Sequence, residues 1–93
     1  AIVLESWQAE LVAAAPWAFL RGCIRSDGCA FVNRTGPYEY LSYDFYNLSA
    51  PIRQLFVDVC HGLGLACRPA GNRVRINRRD SVQLMLDHVG IKT

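Results

Sequence analysis

The sequence predicts an α+β domain of order α-β-β-α-β-β-α. Four strands form an antiparallel sheet, helices cover one of its faces, and a short extra helix stands in front. Three observations predict it. Two segments carry apolar residues at helical spacing. Two others alternate apolar and polar residues with the period of a strand. Turn residues (Gly, Pro, Asn, Asp) fall between these segments at intervals that suit two hairpins, each following a helix.

Ser6 can cap the short leading helix over 7–14. Pro16 suits the first turn of the next helix, which runs to Ser26 and stops at Asp27-Gly28. "CAFVNR" (29–34) reads as a strand, "TGP" as a turn, and "YEYLSYDFY" (38–46) as the second strand. In that strand Leu41, Tyr43 and Phe45 share one face and Tyr40, Ser42 and Asp44 the other. Ser49 and Pro51 start a helix striped by Ile52, Leu55, Phe56, Val59 and Leu63, and Gly62 and Gly64 end it. "LACR" (65–68) is the third strand, "PAGN" a turn and "RVRIN" (73–77) the fourth strand. Asp80 or Ser81 caps a last helix with Val82, Met85, Leu86 and Val89 on one face, closed by Gly90.

Ninety-three residues make one domain with a thin core. The chain starts on Ala1 rather than Met, as expected of a piece excised from a longer one. Hydrophobic residues make up 52% against 19% charged, which is apolar for so small a domain and fits a further buried interface. Nothing reaches 18 consecutive apolar residues, and "LVAAAPWAFL" is too short and lacks signal-peptide flanks, so no membrane partner is expected. Cys23, Cys29, Cys60 and Cys67 lack paired metal spacing and read as reduced, mostly buried thiols of a cytoplasmic protein; a zinc site built on Cys60-His61 with Cys23 and Cys29 is the minor alternative. His61 and His88 fall near helix ends, where a capping or surface role is expected.

The net charge is only +2, but residues 68–79 hold five arginines and no acid. In the fourth strand Val74 and Ile76 must face the helices, which leaves Arg73, Arg75 and Asn77 on the uncovered face. Tyr40, Ser42 and Asp44 join them, with Asn33 or Arg34 from the first strand according to register. Arg68, Arg78 and Arg79 complete the basic block. Such a face can touch phosphates and read base edges, although an antiparallel sheet also wets one face routinely.

The segment 16–28 poses a separate question. Ala18, Gly22 and Ser26 form a ridge of small residues four apart, while Trp17, Leu20 and Ile24 form an apolar flank. A small ridge admits close approach of a second helix, from another chain or from this one. An acid at the negative end of a helix costs roughly 0.3–1 kcal/mol. Either Asp27 opens a turn in which Gly28 is the left-handed cap, or something positive sits opposite Asp27.

"LRGCIRSDG", Leu20 to Gly28, resembles the nine-residue signature of the LAGLIDADG homing endonucleases. Leu20, Gly22, Ile24, Asp27 and Gly28 match in place, and Ser26 is small where that family has Ala. The element order over 16–93 is also that family's. The resemblance implies a homodimer joined through the signature helices at Ala18, Gly22 and Ser26, with both sheets seated on a long pseudo-palindromic DNA site. It implies that Asp27, helped by the Ser26 carbonyl, binds magnesium or another divalent cation over the scissile phosphate as the catalytic, metal-holding carboxylate of a site-specific endonuclease. Two departures stand out. Arg25 occupies a position that is often acidic in the family, and the single lysine, Lys92, lies at the tail rather than in the sheet, leaving Arg78 or Arg79 as stand-ins. A non-cleaving DNA-binding regulator on the same fold is the alternative, and a protein-interaction domain the third.

Overall fold

The computed structural model describes Val12, Ala14 and residues 15–91. Val12 and Ala14 are helical; the rest of the leading helix lies outside the described residues. The elements are α1 (Pro16–Asp27), β1 (Gly28–Thr35), β2 (Tyr38–Tyr46), α2 (Ala50–Gly62), β3 (Arg68–Ala70), β4 (Arg73–Ile76) and α3 (Arg79–His88). The predicted α+β class and order are therefore present. The sheet order is β1-β2-β4-β3, so the two hairpins join through their second strands.

Local chemistry explains the boundaries. Pro16 opens α1, where its missing N–H is not needed. Ser49 caps α2 by accepting a hydrogen bond from the Ile52 N–H. Gly36 and Gly71 take positive φ in the two hairpin turns, where a Cβ would be strained. Three boundaries differ from expectation. The third strand is Arg68–Ala70 rather than 65–68, because the Leu65 and Ala66 N–H groups are spent elsewhere: they donate to Cys60 O and Ser81 Oγ, both at 2.8 Å. The last helix starts at Arg79, with Arg78 as its N-cap, because Ser81 Oγ serves Ala66 and Asp80 Oδ1 accepts from the Ser81 N–H. Gly28 is no left-handed cap. Its φ is −118°, and α1 passes straight into β1.

Alternation sorts the sheet into two faces. Tyr43, Phe45, Val74 and Ile76 are buried against Leu20 and Ile24 of α1, Phe56, Val57 and Cys60 of α2, and Val82 and Met85 of α3. Phe45 and Phe56 stack at 4.5 Å between ring centroids. Trp17 is half-buried at the margin, stacked 4.2 Å from the His88 ring. Tyr43 is buried with its hydroxyl donating to Gly90 O at 2.7 Å, which ties the end of α3 to the middle of the sheet.

Candidate nucleic-acid interface and acidic helix end

The strand ladder fixes what the open face carries. Asn33 pairs with Tyr40, Phe31 with Ser42, Cys29 with Asp44, and Asp44 in turn with Arg75. Paired residues of an antiparallel ladder share a face. The register thus selects Asn33 as the open-face position. Arg34 belongs to the opposite face at the hairpin end, where it forms an exposed ion pair with Glu39 at 3.2 Å. Its expected place among the DNA contacts is corrected accordingly. Ser42 needs correction too: it lies at an open-face position but is fully buried, so no ligand on that face reaches it.

Asp44 sits at the centre. Arg75 Nε donates to Asp44 Oδ1 at 2.8 Å and Arg75 Nη2 to Oδ2 at 3.0 Å, a two-point, charge-assisted pair. The Arg75 guanidinium also lies 5.2 Å over the Phe31 ring. Arg73 approaches the same carboxylate at 3.7 Å. Arg68 pairs with Arg75 across the β3–β4 ladder, so two arginines meet the acid and a third stands one strand further out. Arg68, Arg73, Arg75 and Asn77 line a shallow depression of about 280 Å³. Asn77 also borders a second one, of about 410 Å³, with Tyr38, Tyr40, Arg79 and Gln83. Tyr38 and Tyr40 are 61% and 47% exposed and stack on each other at 6.2 Å. The open side therefore carries arginine at one end and tyrosine at the other.

The second region is the C-terminal end of α1. Ala18, Gly22 and Ser26 are exposed, and together with Asp27, Asn47 and Ile52 they line a groove of about 400 Å³. A Cβ added at Gly22 would meet nothing within 4 Å. No helix of the described residues fills this ridge. Gly28 behaves oppositely: an added Cβ would lie 2.7 Å from Ile24 Cα and 2.9 Å from Asp44 O. Glycine after Asp27 is thus a steric requirement of helix and strand meeting, not a conformational one.

Asp27 is exposed at the helix terminus and, among the described residues, joins no salt bridge. Its Oδ2 receives the Ser26 hydroxyl at 3.5 Å and Asn47 Nδ2 at 3.4 Å. Asn47 is a residue that the sequence reading missed. Its Oδ1 accepts from the Ser49 N–H at 2.8 Å, its carbonyl accepts from Arg53 Nη1 at 2.6 Å, and its N–H donates to Asn72 O at 2.9 Å. With Oδ1 committed, the amide must turn its NH2 toward Asp27. The available signal was Asn two residues before a Ser cap, the pattern of an Asx turn. Arg53 was missed as well, because it was read only as part of an amphipathic helix. Arg78 and Arg79, the expected stand-ins for a lysine, lie by Tyr38–Leu41 at the far end of β2 from Asn47. Several residues at about 3.3 Å each separate those ends. Of these arginines Arg53 stands nearer Asp27, to which Asn47 links it, and Arg78 is itself paired with Asp80 at 3.0 Å.

The donors at this end, a carboxylate beside a hydroxyl, are hard oxygens of the kind magnesium takes. Among the described residues no three His, Cys, Asp or Glu gather to hold a metal, which leaves the zinc alternative without a site. All four cysteines are free. Burial, with a smaller contribution from the Asp27 charge, pushes the Cys23 thiol up to about 12, and burial first of all pushes Cys60 up. Both are inert thiols at neutral pH. Cys67 Sγ lies 3.8 Å from His61 Nε2 at the end of α2. No helix of the described residues is long and apolar enough to cross a membrane.

The chain matches no family model and no curated protein. Among solved structures it is similar to the homing endonuclease I-CvuI, whose crystal structure holds the I-CreI target with 2 mM Mg and the DNA not cleaved. The TM-score is 0.56 and the identity 20%, over 82% of this chain and 55% of that one. The chain thus spans about half the length of that neighbour, and the likeness is one of fold.

Proposed function

We propose that this chain is a LAGLIDADG-type DNA endonuclease domain that works as a homodimer on a pseudo-palindromic double-stranded site. The observation that carries the proposal is the conjunction of three features on α1 and the sheet that follows it. A carboxylate ends α1, an unfilled ridge of small residues runs along the same helix, and the sheet that follows turns an arginine-rich face outward. The fold shared with a homing endonuclease supports it.

In this reading Ala18, Gly22 and Ser26 meet their copies across a two-fold axis, which brings the two Asp27 carboxylates together. Like charges so placed repel, and each is also disfavoured by its own helix end. Asp27 and the Ser26 carbonyl would hold a divalent cation there, with the copy's pair completing the set. Magnesium when bound supplies a lowered pKa for water and positive charge beside a leaving oxygen. Asn47 holds the Asp27 carboxylate in place, and Arg53 holds Asn47 and adds positive charge near the phosphate. Arg73, Arg75, Arg68 and Asn77, with Tyr40 and Asn33, contact DNA from the sheet.

A non-cleaving DNA regulator is the second reading. Arg25 favours it: this exposed basic residue in the last turn of α1 stands where the resemblance expects an acid. One experiment separates the two. A randomised duplex library is incubated with the protein and magnesium, beside Asp27→Asn. The endonuclease reading expects cleaved fragments sharing a two-fold related consensus, and a variant that still retains those sequences on a gel but does not cut them. Enrichment without cutting by the wild type would support the regulator, and no enrichment at all would overturn both.

A further inference from the structure

An acid at the centre of a face offered to a polyanion lowers affinity unless it does something else. Asp44 is such an acid, with its side chain only 14% exposed. Resting on the DNA-reading proposal above, we infer that Asp44 is a positioning residue that presents Arg75 as the sheet's guanine reader, whereas Arg73 is a phosphate contact. Asp44 occupies Nε and one side of Nη2 of Arg75. The outer edge of the guanidinium, Nη1 with the remaining Nη2 hydrogen, is left as a two-donor fork. That fork matches the O6 and N7 acceptors of guanine in the major groove. Phe31 lies beneath the guanidinium, 5.2 Å from centroid to Cζ, and backs it from the sheet. The Arg75 side chain is 32% exposed, held but accessible.

Arg73 differs on each count. Its one link to Asp44 is 3.7 Å, beyond hydrogen-bond length, and its side chain is 51% exposed. A loosely held guanidinium suits a phosphate contact, which carries no sequence information directly. An ordinary exposed ion pair would account for Arg73 and Asp44. It does not account for a two-point pair whose acid is mostly covered and whose base lies over an aromatic ring.

The test is selection from a randomised duplex library, read base pair by base pair, for the wild type, Asp44→Asn, Arg75→Lys and Arg73→Ala, with melting curves for each. The wild type is expected to prefer guanine at one pair of each half-site by roughly 5- to 150-fold, the range of a good bidentate contact. Asp44→Asn and Arg75→Lys should each lose most of that preference at that pair and keep the others. Arg73→Ala should keep it and lower the slope of log affinity against log salt by about 0.9 per contact. Should Asp44→Asn fail to fold, Asp44→Glu takes its place, because it keeps the charge and shifts the two acceptors by one methylene. Preference at that pair surviving in the folded variants, or lost evenly at all pairs, overturns this inference while leaving the DNA-reading proposal standing. A wild type that enriches no site overturns the DNA-reading proposal, and this inference falls with it.

Discussion

Replacing Gly28 by alanine is the sharpest test of how the acid is placed. A Cβ there would lie 2.7 Å from Ile24 Cα, 2.8 Å from Ile24 Cδ1 and 2.9 Å from Asp44 O. Two of the three are backbone atoms of different elements, so relief requires α1 and β2 to separate rather than a side chain to turn. Overpacking of this kind costs roughly 1–3 kcal/mol. Because Gly28 is extended, alanine recovers roughly 0.4–1 kcal/mol through the unfolded chain. The net loss is roughly 0–2.6 kcal/mol, centred near 1.3, and that centre corresponds to roughly 5–10 °C in melting temperature for a domain of this size. Gly22→Ala is the internal control. Nothing lies within 4 Å of its added Cβ, and alanine gains roughly 1 kcal/mol of helix propensity. It should raise the melting temperature by roughly 4–8 °C when measured at a concentration where sedimentation finds monomer. Circular dichroism melts of both variants decide the matter. An unchanged or raised melting temperature for Gly28→Ala would refute the packing argument, as would a drop for Gly22→Ala in the monomer.

Two further outcomes are expected. Gly22→Leu should leave the fold intact, since the added atoms enter open space, and should turn a dimeric wild type into monomer by light scattering; a variant that remains dimeric would remove the ridge from the interface. Alkali should destabilise the chain. Cys23, Cys60 and Tyr43 hold their protons more tightly folded than unfolded, chiefly through burial, so the unfolded state releases protons first. Their contribution is complete below the unfolded thiol value of about 9 and fades as pH rises toward the folded Cys23 value of about 12. A melting temperature that stays flat between pH 9 and 11 in reducing buffer (both limits approximate) would contradict this.

Some of the molecule was legible one residue at a time. Val74 and Ile76 had to turn inward, and Arg73 and Arg75 outward, because strand periodicity admits no other arrangement once one face is covered. The stripe of α2 and the order of the elements were legible for the same reason: they follow from spacings within a single segment. What depends on two segments meeting was not legible. Nothing in "LACRPAGN" says that Ser81, fifteen residues after Ala66, takes the Ala66 N–H and delays the strand to Arg68. Nothing local to Ser42 says that its neighbours close over it while Tyr40, two residues away, stays open.

The amino-acid sequence by itself determined the α+β class, the arginine-bearing strand and the acid that ends α1, because each is written in nearest-neighbour spacing. Only the tertiary structure decided that Asn33 rather than Arg34 shares the open face, that Asn47 and Arg53 stand by Asp27, and that Gly28 answers to steric contact rather than to backbone hand. The physical reason is the same in each case: register, burial and close approach are set by which distant residues the core brings together, and no short window of sequence contains both partners.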